Sequence, residues 1–196
     1  MPGTDPRRPL QAALADYRRR WPGEAGTVAL FEELLAEGGH GFLRERLAGH
    51  FTASAWLVAA DGERTLLTHH RKLGLWLQLG GHADGDDDLA RAALKEAGEE
   101  SGLPGLRLEG DAIFDLDRHW IPEHKGVPPH WHYDVRYVVR AGADEAFVVS
   151  DESHALGWRG IAELARDEAA DASVRRMARK WMEANRPARR TPRSWC

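Results

Sequence analysis

Three glutamates, Glu96, Glu99 and Glu100, stand at spacings of three and four in a stretch with helical apolar periodicity. At about 100° per residue they share an arc of roughly 100°. Leu89, Ala90, Ala93, Leu94 and Ala97 fill the adjacent arc and are expected to face a core, so the acids line the edge of the buried face. A solvated acidic face is the plain alternative, and two features weigh against it. Like charges four apart cost a few tenths of a kcal/mol per pair. Gly102 is a natural helix stop, which puts the acids in the last two turns, where each opposes the macrodipole by roughly 0.3–1 kcal/mol. Asp86, Asp87 and Asp88, at the other end, are favourable caps and dipole partners. A helix charged well at its start and badly at its end implies that a cation belongs there. Clustered carboxylates suit Mg²⁺, with Mn²⁺ as the alternative, and leave coordination positions for waters and phosphate oxygens.

The stretch from Gly81 to Leu103 resembles the Nudix hydrolase signature G-x5-E-x7-R-E-U-x-E-E-x-G-U, in which U is aliphatic. Gly81, Glu96, Glu99, Glu100, Gly102 and Leu103 match at the family's spacing, and Ala97 is a small version of U. Two positions depart, with Asp87 where the family has Glu and Lys95 where it has Arg. The resemblance implies a metal-dependent hydrolase cleaving a diphosphate linkage, with Glu96, Glu99, Glu100 and the Gly80 carbonyl as metal ligands. It also implies a glutamate, commonly at the Glu96 position, that polarises the attacking water. In the family the Arg orients that glutamate and pairs with the upstream acid, which here gives Lys95 with Asp87. Lysine brings a point charge in place of a planar fork, so the orientation it imposes is looser. Gly81, Asp87 and Gly102 are the expected structural supports of the site.

A second constellation is the alternating segment HWHYDVRY at 130–137, which on a strand puts His130, His132, Asp134 and Arg136 on one face. That face is either a strand surface with internal ion pairing or the lining of a substrate cleft. In the second reading Arg136 meets phosphate and a histidine meets metal or leaving group. Lys72, in HHRK at 69–72, and His82, just after Gly80-Gly81, are further candidates to contact a diphosphate. With HFTASAW at 50–56 and HHRKLGLWLQLGGH at 69–82, the segment is similar to a bacterial Nudix subgroup. Trp76, Trp120 and Trp131 could stack a base, although a core role is the ordinary expectation for each. Glu152, in a loop before Gly157-Trp158, is a weak candidate for a further ligand or base.

Elements must hold these groups in place. Leu10, Leu14 and Tyr17, then Phe31, Leu34 and Leu35 after the Pro22-Gly23 break, predict helices, followed by a short helical stretch through Leu43 and Leu47. Strands are expected at 51–60, 64–69, 75–79, 106–117, 131–140 and 146–150, with helices at 87–101 and 158–183. This order argues an α/β fold, and the resemblance specifies a Nudix-type α-β-α sandwich with a mixed sheet. The expected organisation is an N-terminal helical extension over 1–49, packed on a main domain over 50–185, with a mobile tail over 186–196. The extension could also offer a homodimer surface.

Composition constrains the remainder. The 196 residues suffice for a core without disulfides, 42% are apolar and 30% charged, and the single cysteine, Cys196, permits neither an intramolecular disulfide nor a cysteine-based metal site. A net charge of −4 gives no reason to expect a nucleic-acid polymer as partner. No run of about 18 apolar residues occurs and the start lacks a signal-peptide pattern, so a cytoplasmic protein with a small-molecule diphosphate substrate is expected. Two other readings compete. One is a Nudix-fold ligand-binding or regulatory protein with weak hydrolysis. The other is a histidine-rich transition-metal protein using His130 and His132.

Overall fold

The computed structural model describes residues 7–69, 74–124, 126–148 and 155–185. In chain order its elements are helices α1 (Arg7–Arg20) and α2 (Ala25–Ala36), strands β1 (Gly49–Val58), β2 (Arg64–His69), β3 (Trp76–Leu77) and β4 (Leu79–His82), helix α3 (Leu89–Ser101), strands β5 (Arg107–Leu108), β6 (Asp115–Ile121), β7 (His130–Arg140) and β8 (Leu156–Gly160), and helices α4 (Ile161–Leu164) and α5 (Ala172–Ala184). The apolar run FTASAWLV makes β1 the centre, buried at every position. It pairs parallel with β7 from Gly49–Trp131 to Val58–Arg140, while β2 and β4 pair antiparallel with it. Strands β5 and β6 pair antiparallel with β7, and β3 and β8 with β2, giving a mixed sheet.

Period-two alternation assigns the two faces. Phe51, Ala53, Ala55 and Leu57 of β1 pack in clusters with Leu89, Ala93 and Ala97 of α3 and with Leu14, Tyr17, Val28 and Phe31 of α1 and α2. Trp56 and Val58 face the other way, toward Ile161 of α4 and Val174, Met177 and Trp181 of α5. The architecture is therefore helices on both faces of an open mixed sheet, as the sequence predicts. Among the described residues no helix is long and apolar enough to cross a membrane.

Several boundaries differ from expectation. The segment 158–183 is not one helix. Its start is drawn into β8, which pairs with β2 from Leu156–Thr68 to Gly160–Arg64, and α5 begins afresh at Ala172. The 106–117 strand is two short strands on β7. Residues 43–48 form turns where a helical stretch is expected, and 146–148 form no strand, while 149–150 lie outside the described residues.

Candidate active site

Helix α3 packs over the Gly80-Gly81 pair of β4, which lies in the sheet opposite Ser54 and Ala53 of β1. The helix starts where Asp88 caps it, its carboxylate accepting from the Arg91 N–H at 3.0 Å, and stops at Gly102, whose φ of 66° is left-handed. Between these ends Leu89, Ala93 and Ala97 seat it on the sheet. Glu96, with 20% of its side chain exposed, then lies directly over Gly81, so close that a Cβ there would come within 2.4 Å of Glu96 Oε2. The Gly80 N–H donates to Glu100 Oε2 at 3.2 Å. Thus two of the three acids are turned onto the glycine pair, and Glu99 is the more exposed third. Burial raises the Glu96 pKa, Lys95 pulls it back, and Glu99 and Asp84 add to the rise.

Lys95 does not pair with Asp87. Its Nζ lies 3.1 Å from Glu99 Oε2, one turn on, and 3.5 Å from Glu96 Oε1, whereas Asp87 is exposed ahead of the N-cap. A flexible ammonium settles on the densest nearby negative charge, which is the acid cluster itself. Two carboxylates at the Gly80-Gly81 pair, with Glu99 one turn of helix away, offer hard oxygen donors of the kind a divalent cation takes.

The opposite face of the sheet carries a polar stripe drawn from four strands. At its outer end His50, His82, His119, His130 and His132 form a cluster, with ring centroids 5.0 Å apart for His50–His130 and His50–His132 and 5.1 Å for His82–His132. Burial and the neighbouring histidines push His132 down to about 2, and burial holds His50 at about 4 despite the Arg46 carbonyl that favours its charged form. His82 is lowered too, by burial and then by Arg44. The lowering favours the neutral form of His50, His82 and His132.

In the middle of the stripe Asp134 accepts from Thr52 Oγ1 at 3.0 Å, Ser54 Oγ at 2.7 Å and Gln78 Nε2 at 3.2 Å. Further in, Arg136 is 1% exposed and pairs with Asp134 at 2.7 Å, Asp115 at 3.2 Å and Asp117 at 3.4 Å. Arg136 is therefore not on a surface that meets a phosphate. Alternation fixes its face correctly, but α5 covers that part of the sheet, with Met177 against the guanidinium. Arg176 and Lys180 of α5 close the network on Asp115, at 2.7 and 2.6 Å. Burial would raise the Asp115 carboxyl, but Arg176, Arg136 and Lys180 together hold it below the usual range.

The remaining candidates separate. Lys72 and Glu152 lie outside the described residues. None of the three tryptophans is a fully buried core residue. Trp120 is 50% exposed, Trp131 stacks under Arg118 with the guanidinium carbon 3.8 Å from the ring centroid, and Trp76 likewise under Arg159 at 4.0 Å. Sequence reasoning missed His50, Gln78 and Asp115. His50 stands in the quoted HFTASAW segment, and its position opposite His132 follows only from the parallel β1–β7 register.

The NUDIX domain family model matches residues 49–181, two thirds of the chain and the span that holds both constellations. The chain belongs to the Nudix family, and as a member it is an enzyme of the pyrophosphohydrolase class. A search of curated proteins found no match. Among solved structures, a NUDIX-family hydrolase from Clostridium perfringens is similar with a TM-score of 0.54 at 22% identity, over 69% of this chain and 97% of that one. An Ap4A hydrolase binary complex from C. elegans gives 0.53 at 19%, over 68% and 96%. A MutT NUDIX hydrolase from Burkholderia pseudomallei gives 0.50 at 25%, over 67% and 97%. The two likenesses below 25% identity show the fold alone.

Proposed function

We propose that this chain is a Mg²⁺-dependent hydrolase, Mn²⁺ serving as alternative, that cleaves a diphosphate linkage in a small substrate of the nucleoside diphosphate-X type by attack of water on phosphorus. The observation that carries the reading is that Glu96 and Glu100 both meet the Gly80-Gly81 pair of β4, with Glu99 and Lys95 beside them. Glu96, Glu99, Glu100 and the Gly80 carbonyl would hold the cation. When bound, such an ion supplies charge neutralisation of the diphosphate and acidifies a coordinated water.

The chain's own residues supply the rest. Glu96, desolvated and raised in pKa, holds a proton more readily than an exposed carboxylate and suits the role of base toward water. Lys95 offsets the mutual repulsion of the acids, its ammonium lying against Glu99 and Glu96. Gly81 keeps the space above β4 clear for the Glu96 carboxylate. His82, next to Gly81 in β4 and lowered in pKa by burial, would contact the substrate as a hydrogen-bonding group and not as a cation. His132 lies on the sheet face away from Glu96. That a chain of similar fold from C. elegans is an Ap4A hydrolase accords with this reading.

Phosphate release from a panel of nucleoside triphosphates, nucleotide sugars and dinucleoside polyphosphates, with and without Mg²⁺, tests the proposal. Glu100→Gln keeps an oxygen to accept from the Gly80 N–H, so the fold should persist while Mg²⁺-dependent turnover falls by orders of magnitude. Reaction in ¹⁸O-water would locate the attacked phosphorus. Near-wild-type turnover in Glu100→Gln, or no cleavage of any diphosphate by the wild type, would sink the assignment.

A further inference from the structure

Away from the glutamates, three imidazoles from two strands present nitrogens to a common space. The ligand atoms of His50, His130 and His132 all lie within 4.8 Å of one another. The rings are anchored in a way that decides which nitrogen is free. Nδ1 of His130 lies 2.8 Å from the Pro128 carbonyl oxygen, and Nδ1 of His50 lies 3.3 Å from that of Arg46. A carbonyl can only accept, so in both rings Nδ1 donates to it and Nε2 is the nitrogen left to act as a metal ligand. Nε2 of His50, in a side chain 2% exposed, is buried with no hydrogen-bond partner. Nε2 of His130 points at Nε2 of His132, 3.1 Å away.

We propose that His50, His130 and His132 form a second metal site, selective for a borderline transition-metal ion such as Zn²⁺ and separate from the carboxylate site. Imidazole nitrogens are the donors such ions prefer, whereas Mg²⁺ demands oxygen. A zinc ion about 2.0–2.1 Å from each nitrogen sets tetrahedral ligands about 3.3 Å apart. The His130–His132 separation is already near this value, and small ring rotations bring in His50. Backbone carbonyls behind Nδ1 of two ligands are the outer support that fixes ring orientation in metal-bound histidines. The β1–β7 register supplies rigidity, since His50 and His132 are direct partners in a parallel pair. Three protein ligands leave one position open, and His82, its ring 5.2 Å from that of His50, flanks the same space from β4.

The inference does not rest on the hydrolase reading. Its test is zinc titration of the metal-stripped full chain, without a histidine tag and in excess Mg²⁺, followed by calorimetry and by metal analysis after gel filtration. One Zn²⁺ per chain is expected, with the d–d spectrum of a tetrahedral N-donor site when Co²⁺ is substituted. His130→Asn and His132→Gln should each weaken Zn²⁺ binding by about tenfold or more. Glu100→Gln and His40→Ala, the latter at an exposed position, should leave it unchanged. His50→Asn should abolish it, and circular dichroism of all variants separates loss of the site from loss of the fold. Equal Zn²⁺ affinity in the wild type and a folded His132→Gln variant, or transfer of the zinc loss to Glu100→Gln, would overturn the proposal.

Discussion

At Gly81 the absence of a side chain has a local consequence that can be measured. A Cβ there would come within 2.4 Å of Oε2 and 2.6 Å of Cδ of Glu96, and both belong to the end of a flexible side chain that can swing aside. Gly81→Ala is therefore expected to leave the melting temperature almost unchanged while displacing the carboxylate. Turnover should fall by about 10- to 100-fold, the usual cost of a misplaced catalytic group. Gly80 offers the contrast, because a Cβ there would meet the Ala53 carbonyl and the Ser54 Cα at 2.7 Å, and backbone cannot yield. Gly80→Ala should lose stability along with activity. Intact turnover in a folded Gly81→Ala protein would remove Glu96 from the proposed machinery. At this scale the acid triad was legible because it is local, three residues within five positions of one helix. The His50–His132 contact was not, since it joins residues 82 positions apart through a strand register that no local pattern encodes. Arg136 shows a third case, in which alternation yields the face of a strand but not how deep a later helix buries it.

Helices with chemical punctuation were legible, and elements defined by pairing were not. Helix α3 announces both ends, Asp88 before it and Gly102 after it, so its limits fall within two residues of expectation. The stretch from Gly157 to Gly160 has no such marks. Its lack of bulk at Gly157, where a Cβ would sit 3.3 Å from the Trp76 ring, fits it to β2 and its neighbours, and pairing overrides helical tendency. Helix α5 then needs a start of its own, and Asp171 provides it, accepting from the N–H groups of Ser173 at 2.8 Å and Val174 at 3.2 Å. Asp171→Ala is expected to cost about 1 kcal/mol in urea unfolding. The loss should reach further than one cap, because α5 delivers Arg176 and Lys180 to the buried Asp115. Faster amide exchange in β6 as well as α5 would register that coupling, and exchange confined to the first turn of α5 would refute it.

Across the whole molecule the two sheet faces divide the work. One face is apolar and holds the carboxylate helix against the sheet. The other passes from the α5 core through an ion network to the histidine cluster at its outer end. The family match begins at residue 49, yet the apolar face is not completed by the matched span alone. Leu14, Tyr17, Val28 and Phe31 of α1 and α2 are all 0% exposed and share a cluster with Phe51, Leu89 and Ala93. Glu24, between those helices, also pairs with Lys180 of α5 at 2.7 Å, and the Tyr17 hydroxyl accepts from the same ammonium. Helices α1 and α2 therefore supply side chains to the core on this face of the sheet. Each of these side chains contributes about 1.5–3 kcal/mol by burial, against a total stability of about 5–15 kcal/mol for an ordinary domain. A chain beginning at Gly49 keeps Glu96, Glu99 and Glu100 and all five histidines of the cluster. It is nevertheless expected to lose cooperative unfolding, to bind hydrophobic dye and to lose turnover, because the sheet face behind Phe51 would be open to water and Lys180 would lack two of its partners. Supplying residues 1–48 as a separate peptide should restore part of the activity in a concentration-dependent way. A truncated chain that unfolds cooperatively at the full-length melting temperature would show instead that α1 and α2 only cover a core already complete.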